Sequence, residues 1–165
     1  MSELKKLFRR NITDNIAPVV YFHKKEPVNV MAEVSEYVIT THKRAGEKIG
    51  TGIHEQYVNL LINIYQHIKE KHTLPASWIS GFYGSGKSSF AKLLGLSLDN
   101  MLLPDNRSLA DVLIERDATP NAGEFRESWY TLVKLIDTSA VGLDIGALTR
   151  EDDTSLITIL REVHR

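Results

Sequence analysis

The chain has 165 residues, 42% of them hydrophobic, which is enough for one core of ordinary domain size. Its 20 basic residues against 21 acidic ones leave a formal charge of −1, so the global basic footprint of a nucleic-acid-binding protein is missing. The absence of cysteine excludes a disulfide framework and a thiolate metal site, and no apolar run approaches the roughly 20 residues of a membrane span; a cytoplasmic chain without a membrane partner is expected.

Four regions follow one another. The first, from Met1 to about Thr41, opens with Lys5, Lys6, Arg9 and Arg10 near Phe8, which read as a solvated face and not as a signal peptide. Val19–Phe22 suits a short strand. Asn29 is a possible N-cap before Val30, Val34, Tyr37 and Val38 at helical spacing. The second region carries a stronger amphipathic signal: Ile53, Tyr57, Leu60, Leu61, Ile64 and Ile68 fall on one helical face, with Gly50 and Gly52 just before it. Lys69, Lys71 and His72 suit its C-terminal dipole end, and Pro75 forces a stop.

In the third region Ser77-Trp78-Ile79-Ser80 is a strand candidate running into a glycine-rich loop, after which Phe90, Leu93, Leu94, Leu98 and Met101 mark a helix. The fourth predicts a helix from Ser108 to about Asp117, a break at Pro120, a short helical stretch near Phe125 and a buried strand at Leu132–Ile136. A last amphipathic helix is expected to begin near Asp152 or Asp153, with its pattern still running at Arg165. Strand, glycine loop and helix in this order predict an α/β fold of the P-loop type with a mostly parallel sheet. The expected division is a mainly helical N-terminal region, 1–75, and the first part of a P-loop domain, 76–165. Because a full core of this type needs several parallel strands, the count of elements after the loop predicts an incomplete sheet, expected of an N-terminal piece of a longer protein or of a reduced domain that borrows its missing surface from a partner.

The loop Gly81-Phe82-Tyr83-Gly84-Ser85-Gly86-Lys87-Ser88 satisfies G-x-x-x-x-G-K-[ST] at every constrained position, with an extra glycine at 84. A random chain of this length would match roughly once in a hundred cases or less. A loop that wraps a phosphate must aim several backbone N–H groups inward, which Gly81, Gly84 and Gly86 allow at low cost, and the following helix adds its positive dipole end. Lys87 is the expected catalytic charge on the β- and γ-phosphates, Ser88 the expected magnesium ligand, and Ser89 the next residue into the helix. The implied cofactors are ATP and Mg2+. Asp137, at the end of the Leu132–Ile136 run, is the candidate metal-side carboxylate that a second buried strand would position; the alternative is a strand-end aspartate that caps a turn or faces solvent. Asp144 and Glu151-Asp152-Asp153 read as loop and capping residues.

Other chemistries fit less well. His67 and His72 are five apart where a helical metal pair needs four, and position 83 is tyrosine where a nucleophile elbow needs glycine. Three functions stay open: an ATPase whose hydrolysis drives conformational change, a nucleotide-binding switch or scaffold without turnover, and a small-molecule P-loop kinase. The kinase is disfavoured by the 80 residues before the loop and by the lack of an arginine-rich lid after it. Tyr37 and the helical N-terminal region are expected to help frame the adenine.

Glu36-Tyr37-Val38-Ile39-Thr40, a long amphipathic helix and then Trp78-Ile79-Ser80-Gly81-Phe82-Tyr83-Gly84-Ser85-Gly86-Lys87-Ser88-Ser89-Phe90 resemble the large ATPases of bacterial BREX phage-defence systems, the BrxC/PglY-like proteins. The similarity is best from about Glu33 to Leu94, and Leu132–Thr138 resembles the strand that follows the P-loop helix in that family. The resemblance implies that Gly81, Gly84, Gly86, Lys87 and Ser88 bind ATP. It also implies that the family's magnesium-binding acid and sensor residues lie beyond Arg165, and that the partners are other subunits of a defence complex acting on phage DNA.

Overall fold

The computed structural model describes residues 20–41, 52–73 and 76–142. Pro27, at the start of α1 (Pro27–Glu36), begins that helix because its fixed φ suits a first turn and its missing N–H is needed by no acceptor there. Asn29, expected as the cap, lies inside the helix, and its side-chain amide donates to Glu26 Oε2 at 2.9 Å from the first turn. Val30 and Val34 are buried, and the chain turns extended at Tyr37, so Val38 leaves the helical face and is exposed. α2 (Ile53–Lys69) starts at Gly52 and follows the predicted amphipathic face, burying Tyr57, Val58 and Leu61. His67 and Lys69 complement its C-terminal dipole. It stops at Glu70, before Pro75, which lies outside the described residues.

α3 (Lys87–Leu98) grows directly out of the glycine loop. α4 (Leu109–Glu115) is capped by Ser108, whose hydroxyl accepts from the Asp111 N–H at 3.0 Å. α5 (Ala122–Val133) buries Phe125, Trp129 and Leu132, spaced four and three residues apart on one helical stripe. Helices from both sides of residue 75 share a single hydrophobic core that runs from Val30 to Leu132. No helix among the described residues is long and apolar enough to cross a membrane.

The expected α/β fold with a mostly parallel sheet is overturned: the described residues form five α-helices, and their only β pairing is an isolated antiparallel bridge between Leu102 and Ser108. Three strand expectations fail for separate reasons. Leu132 and Val133 complete α5 and the chain turns at Lys134, because a short apolar run also fits the last turn of a helix whose buried stripe it continues. Ser77–Ser80 forms no regular element and pairs with no strand among the described residues, and Trp78 is 91% exposed. The segment from Tyr21 enters a turn, with Lys24 N–H donating to Tyr21 O at 3.3 Å, and Val19 lies outside the described residues. The basic opening, Gly50, Asp144, the Glu151-Asp152-Asp153 cluster and the helix expected near Asp152 also lie outside them.

Three rings join the helices. Tyr57 of α2 is stacked between Phe90 of α3 and Phe125 of α5, with centroid separations of 4.1 and 5.0 Å and interplanar angles of 11° and 6°. Phe125→Ala removes one side of this stack from a fully buried site and should cost about 3–5 kcal/mol in a chemical denaturation experiment. Burial, and next the neighbouring Tyr37, push the Tyr57 hydroxyl well above its ordinary pKa of 10. A pKa raised by folding gives stability that is whole below the unfolded value and lost as pH rises through the folded one. Stability should therefore fall above about pH 10, and Tyr57→Phe should lose less between pH 9 and pH 11 than the parent chain in paired denaturant titrations.

Candidate functional site

The glycine loop is shaped by backbone conformation, not by crowding. Gly84 and Gly86 have φ of +77° and +84°, and a Cβ at either position would meet nothing within 4 Å. Only the left-handed angle demands glycine there. Gly86 is the N-cap of α3, and the first helical bond runs from Phe90 N–H to Gly86 O at 2.8 Å. The N–H groups of Lys87, Ser88 and Ser89 precede that bond and so have no intrahelical acceptor. They sit at the positive end of the helix dipole, as phosphate binding requires.

Lys87 folds back over the loop. Its ammonium donates to Gly81 O at 2.9 Å and to Phe82 O at 2.6 Å, and reaches Ser85 Oγ at 3.5 Å. Ser85 N–H in turn donates to Phe82 O at 3.2 Å, closing the turn at the tip. Phe82 and Tyr83 project their rings into solvent, 91% and 95% exposed, so these two positions offer the loop backbone and not side-chain contacts. Ser88 is exposed on the first turn of α3, and Ser89 is half-buried beside it. The structure thus brings Gly81 through Ser89 together at one helix start.

Asp137 is placed elsewhere. The neighbouring Thr138 hydroxyl donates to Leu98 O, and Ser139 Oγ and Ala140 N–H donate to Asp99 Oδ1 at 3.3 Å, so this segment lies along the C-terminal end of α3. Ser88 stands ten residues before Leu98, about 15 Å along the helix axis. The exposed Asp137 carboxylate follows a helix, not a strand, and belongs to the end of α3 opposite the loop. Among the described residues no three His, Asp or Glu side chains converge as a metal site. Tyr37 is buried at the end of α1, where the Tyr57 hydroxyl donates to its own at 3.4 Å.

Two open clefts flank α2. One, of about 560 Å³, lies between α2 and α5; the other, of about 640 Å³, lies between α2 and the chain from Ser77 through Lys87. The second contains the glycine loop. From α2 it is lined by Gln56, Asn59 and Asn63 with Ile53 and Leu60, and Trp78 lines it from the chain that leads into the loop. Sequence reasoning assigned these residues no role, although the three amides recur at spacings of three and four on the polar face of α2. A second polar cluster, in the core, was equally unmarked: His54 Nδ1 lies 2.6 Å from Asp117 Oδ2, both residues buried, and Thr119 N–H donates to Asp117 Oδ1 at 3.0 Å. It ties the start of α2 to the chain between α4 and α5, and no local spacing signals a pair 63 residues apart.

Compared with known proteins, the chain matches no protein-family model, and no solved structure matches it. Gly86→Ala places a Cβ on a left-handed residue in open space and should destabilise the fold by about 1–2 kcal/mol, with Gly86→Asn closer to the parent chain; thermal melts of the two variants check the ordering.

Proposed function

We propose that this chain binds the phosphates of a nucleoside triphosphate, ATP with Mg2+, through the loop from Gly81 to Ser88. The observation that carries the reading is the loop itself. Left-handed glycines at 84 and 86 deliver the chain into α3 with the N–H groups of Lys87, Ser88 and Ser89 at the helix start and the Lys87 ammonium folded across the loop carbonyls. Each part has a partner on a triphosphate: amides and dipole for the bridging region, ammonium for the β- and γ-oxygens, and the Ser88 hydroxyl for a magnesium ion whose other ligands are phosphate oxygens and water.

The resemblance to BREX phage-defence ATPases extends the proposal to a cytoplasmic protein that hydrolyses ATP within a defence complex acting on DNA. A second reading, binding as a switch or scaffold without turnover, is favoured by one observation: Asp137, the sequence candidate for the metal-side acid, lies beside the far end of α3.

Calorimetric titration of MgATP into the parent chain and into Lys87→Ala, with phosphate release followed on the same samples, tests these readings. Saturable binding that Lys87→Ala weakens at least a hundredfold is the expected result, since charge-assisted contacts to phosphate contribute about 1.5–3 kcal/mol each. Equal binding by both proteins would remove the phosphate-loop assignment, and phosphate release by the parent chain would separate the ATPase from the switch.

A further inference from the structure

The cleft beside the loop has a chemistry of its own, distinct from the phosphate-binding backbone. Gln56, Asn59 and Asn63 stand on one exposed face of α2, two turns of helix or about 10 Å from first to last. No hydrogen bond links any of the three side-chain amides to another described residue. Trp78 lines the same cleft and leaves 91% of its surface in solvent, a large apolar plane beside walls that mix these amides with apolar side chains such as Ile53 and Leu60. Among the described residues that line the cleft Lys87 alone is charged, and it belongs to the loop end. The volume, about 640 Å³, falls in the ordinary range of small-molecule sites.

We propose that the amide stripe Gln56, Asn59 and Asn63, with Trp78 in the same cleft, is a base-reading subsite that selects adenine over guanine. The inference rests on the ATP reading above and adds the residues that would read its base. A side-chain amide offers one acceptor and two donors in a plane, which matches adenine's amino donor and adjacent ring-nitrogen acceptor in a bidentate pair. Guanine presents two acceptors on the corresponding edge, which calls for a bidentate cation. Its other edge carries two donors and calls for a carboxylate. The described residues at the base end of this cleft include neither kind. The indole of Trp78 supplies the plane on which a base stacks, a contact that any base can use and that therefore adds affinity without selecting.

The test is calorimetric titration of the full chain with MgATP, MgGTP and magnesium tripolyphosphate. The same titrations are run on Trp78→Ala and on the triple variant Gln56→Ala, Asn59→Ala, Asn63→Ala. All substituted residues except Trp78 are exposed helix positions where alanine favours the helix, and Trp78 itself packs little surface, so both variants should fold. The parent chain should bind ATP at least tenfold more tightly than tripolyphosphate and more tightly than GTP. Trp78→Ala should lower affinity for both nucleotides about tenfold, the triple variant should remove the preference for ATP, and neither should change tripolyphosphate binding. Equal affinity for ATP and GTP, or an ATP affinity that neither variant alters, overturns the base subsite. If tripolyphosphate then still binds and Lys87→Ala abolishes it, the phosphate loop stands alone. If none of the three ligands binds, both assignments fall.

Discussion

The ring of Tyr57, held between Phe90 and Phe125, is the contact on which the rest of the arrangement depends. It is fully buried, and it joins the long helix α2 to α3 on one side and α5 on the other. Phe90 lies four residues beyond Gly86, on the first turn of the helix that leaves the glycine loop, and it also lines the cleft between that loop and α2. Stacking is directional, because the ring quadrupoles favour offset-stacked or edge-to-face arrangements over a face-to-face sandwich. The stack therefore sets not only the distance between α2 and α3 but also the rotation of α3 about its axis, and with it the direction in which the helix start presents its N–H groups. The Tyr57 hydroxyl also reaches Phe90 O and Tyr37 hydroxyl at 3.4 Å, which draws the end of α1 into the same unit.

Two lysines five residues apart on α3 show how the same side chain serves opposite ends. Lys92 is buried and donates to Glu33 Oε1 of α1 at 2.8 Å. Removing Glu33 would leave the Lys92 ammonium unpaired in the core, so the pair locks the approach of α1 to α3 even where its net contribution to stability is small. Lys87 is only half-buried, bound to neutral carbonyls and paired with no carboxylate among the described residues. The interior charge is consumed by the fold, and the charge at the helix start stays available to an anion.

Much of this organisation is legible in the residues themselves. α2 and α3 can be read because their apolar positions, Ile53 to Ile68 and Phe90 to Leu98, repeat at helical spacing, and α4 because Ser108 is a strong N-cap. The loop can be read because only glycine adopts its left-handed positions without strain. The strand candidates could not be judged in this way. Leu132–Ile136 is an apolar run too short to show a period that separates a strand from the end of a helix, and the buried stripe of Phe125 and Trp129 decides the matter only in three dimensions. Ser77–Ser80 has the right neighbours in sequence but lacks a pairing strand among the described residues, a long-range condition that local composition does not encode. Asp137 fell with the strand that was to position it. The row of amides in the cleft with Trp78 depends on which face α2 turns to the loop, and that is set by the ring stack.

The loop's geometry also explains how it holds its form without a sheet beside it among the described residues. Its left-handed glycines sit in open space, so the turn is specified by local backbone freedom and by the ammonium that bridges Gly81 O and Phe82 O. A phosphate arriving at the helix start would compete for that ammonium with two carbonyl oxygens. Charged oxygens win such an exchange, because hydrogen bonds to an ionised acceptor are roughly twice as strong as those to a neutral one. In the proposed complex the lysine would move from holding the loop to holding the ligand, while the α3 amides would anchor the loop through the phosphate itself. On the proposed reading, the contacts that keep the loop folded are thus the ones a triphosphate would displace, and one set of donors would serve both the loop's shape and the ligand.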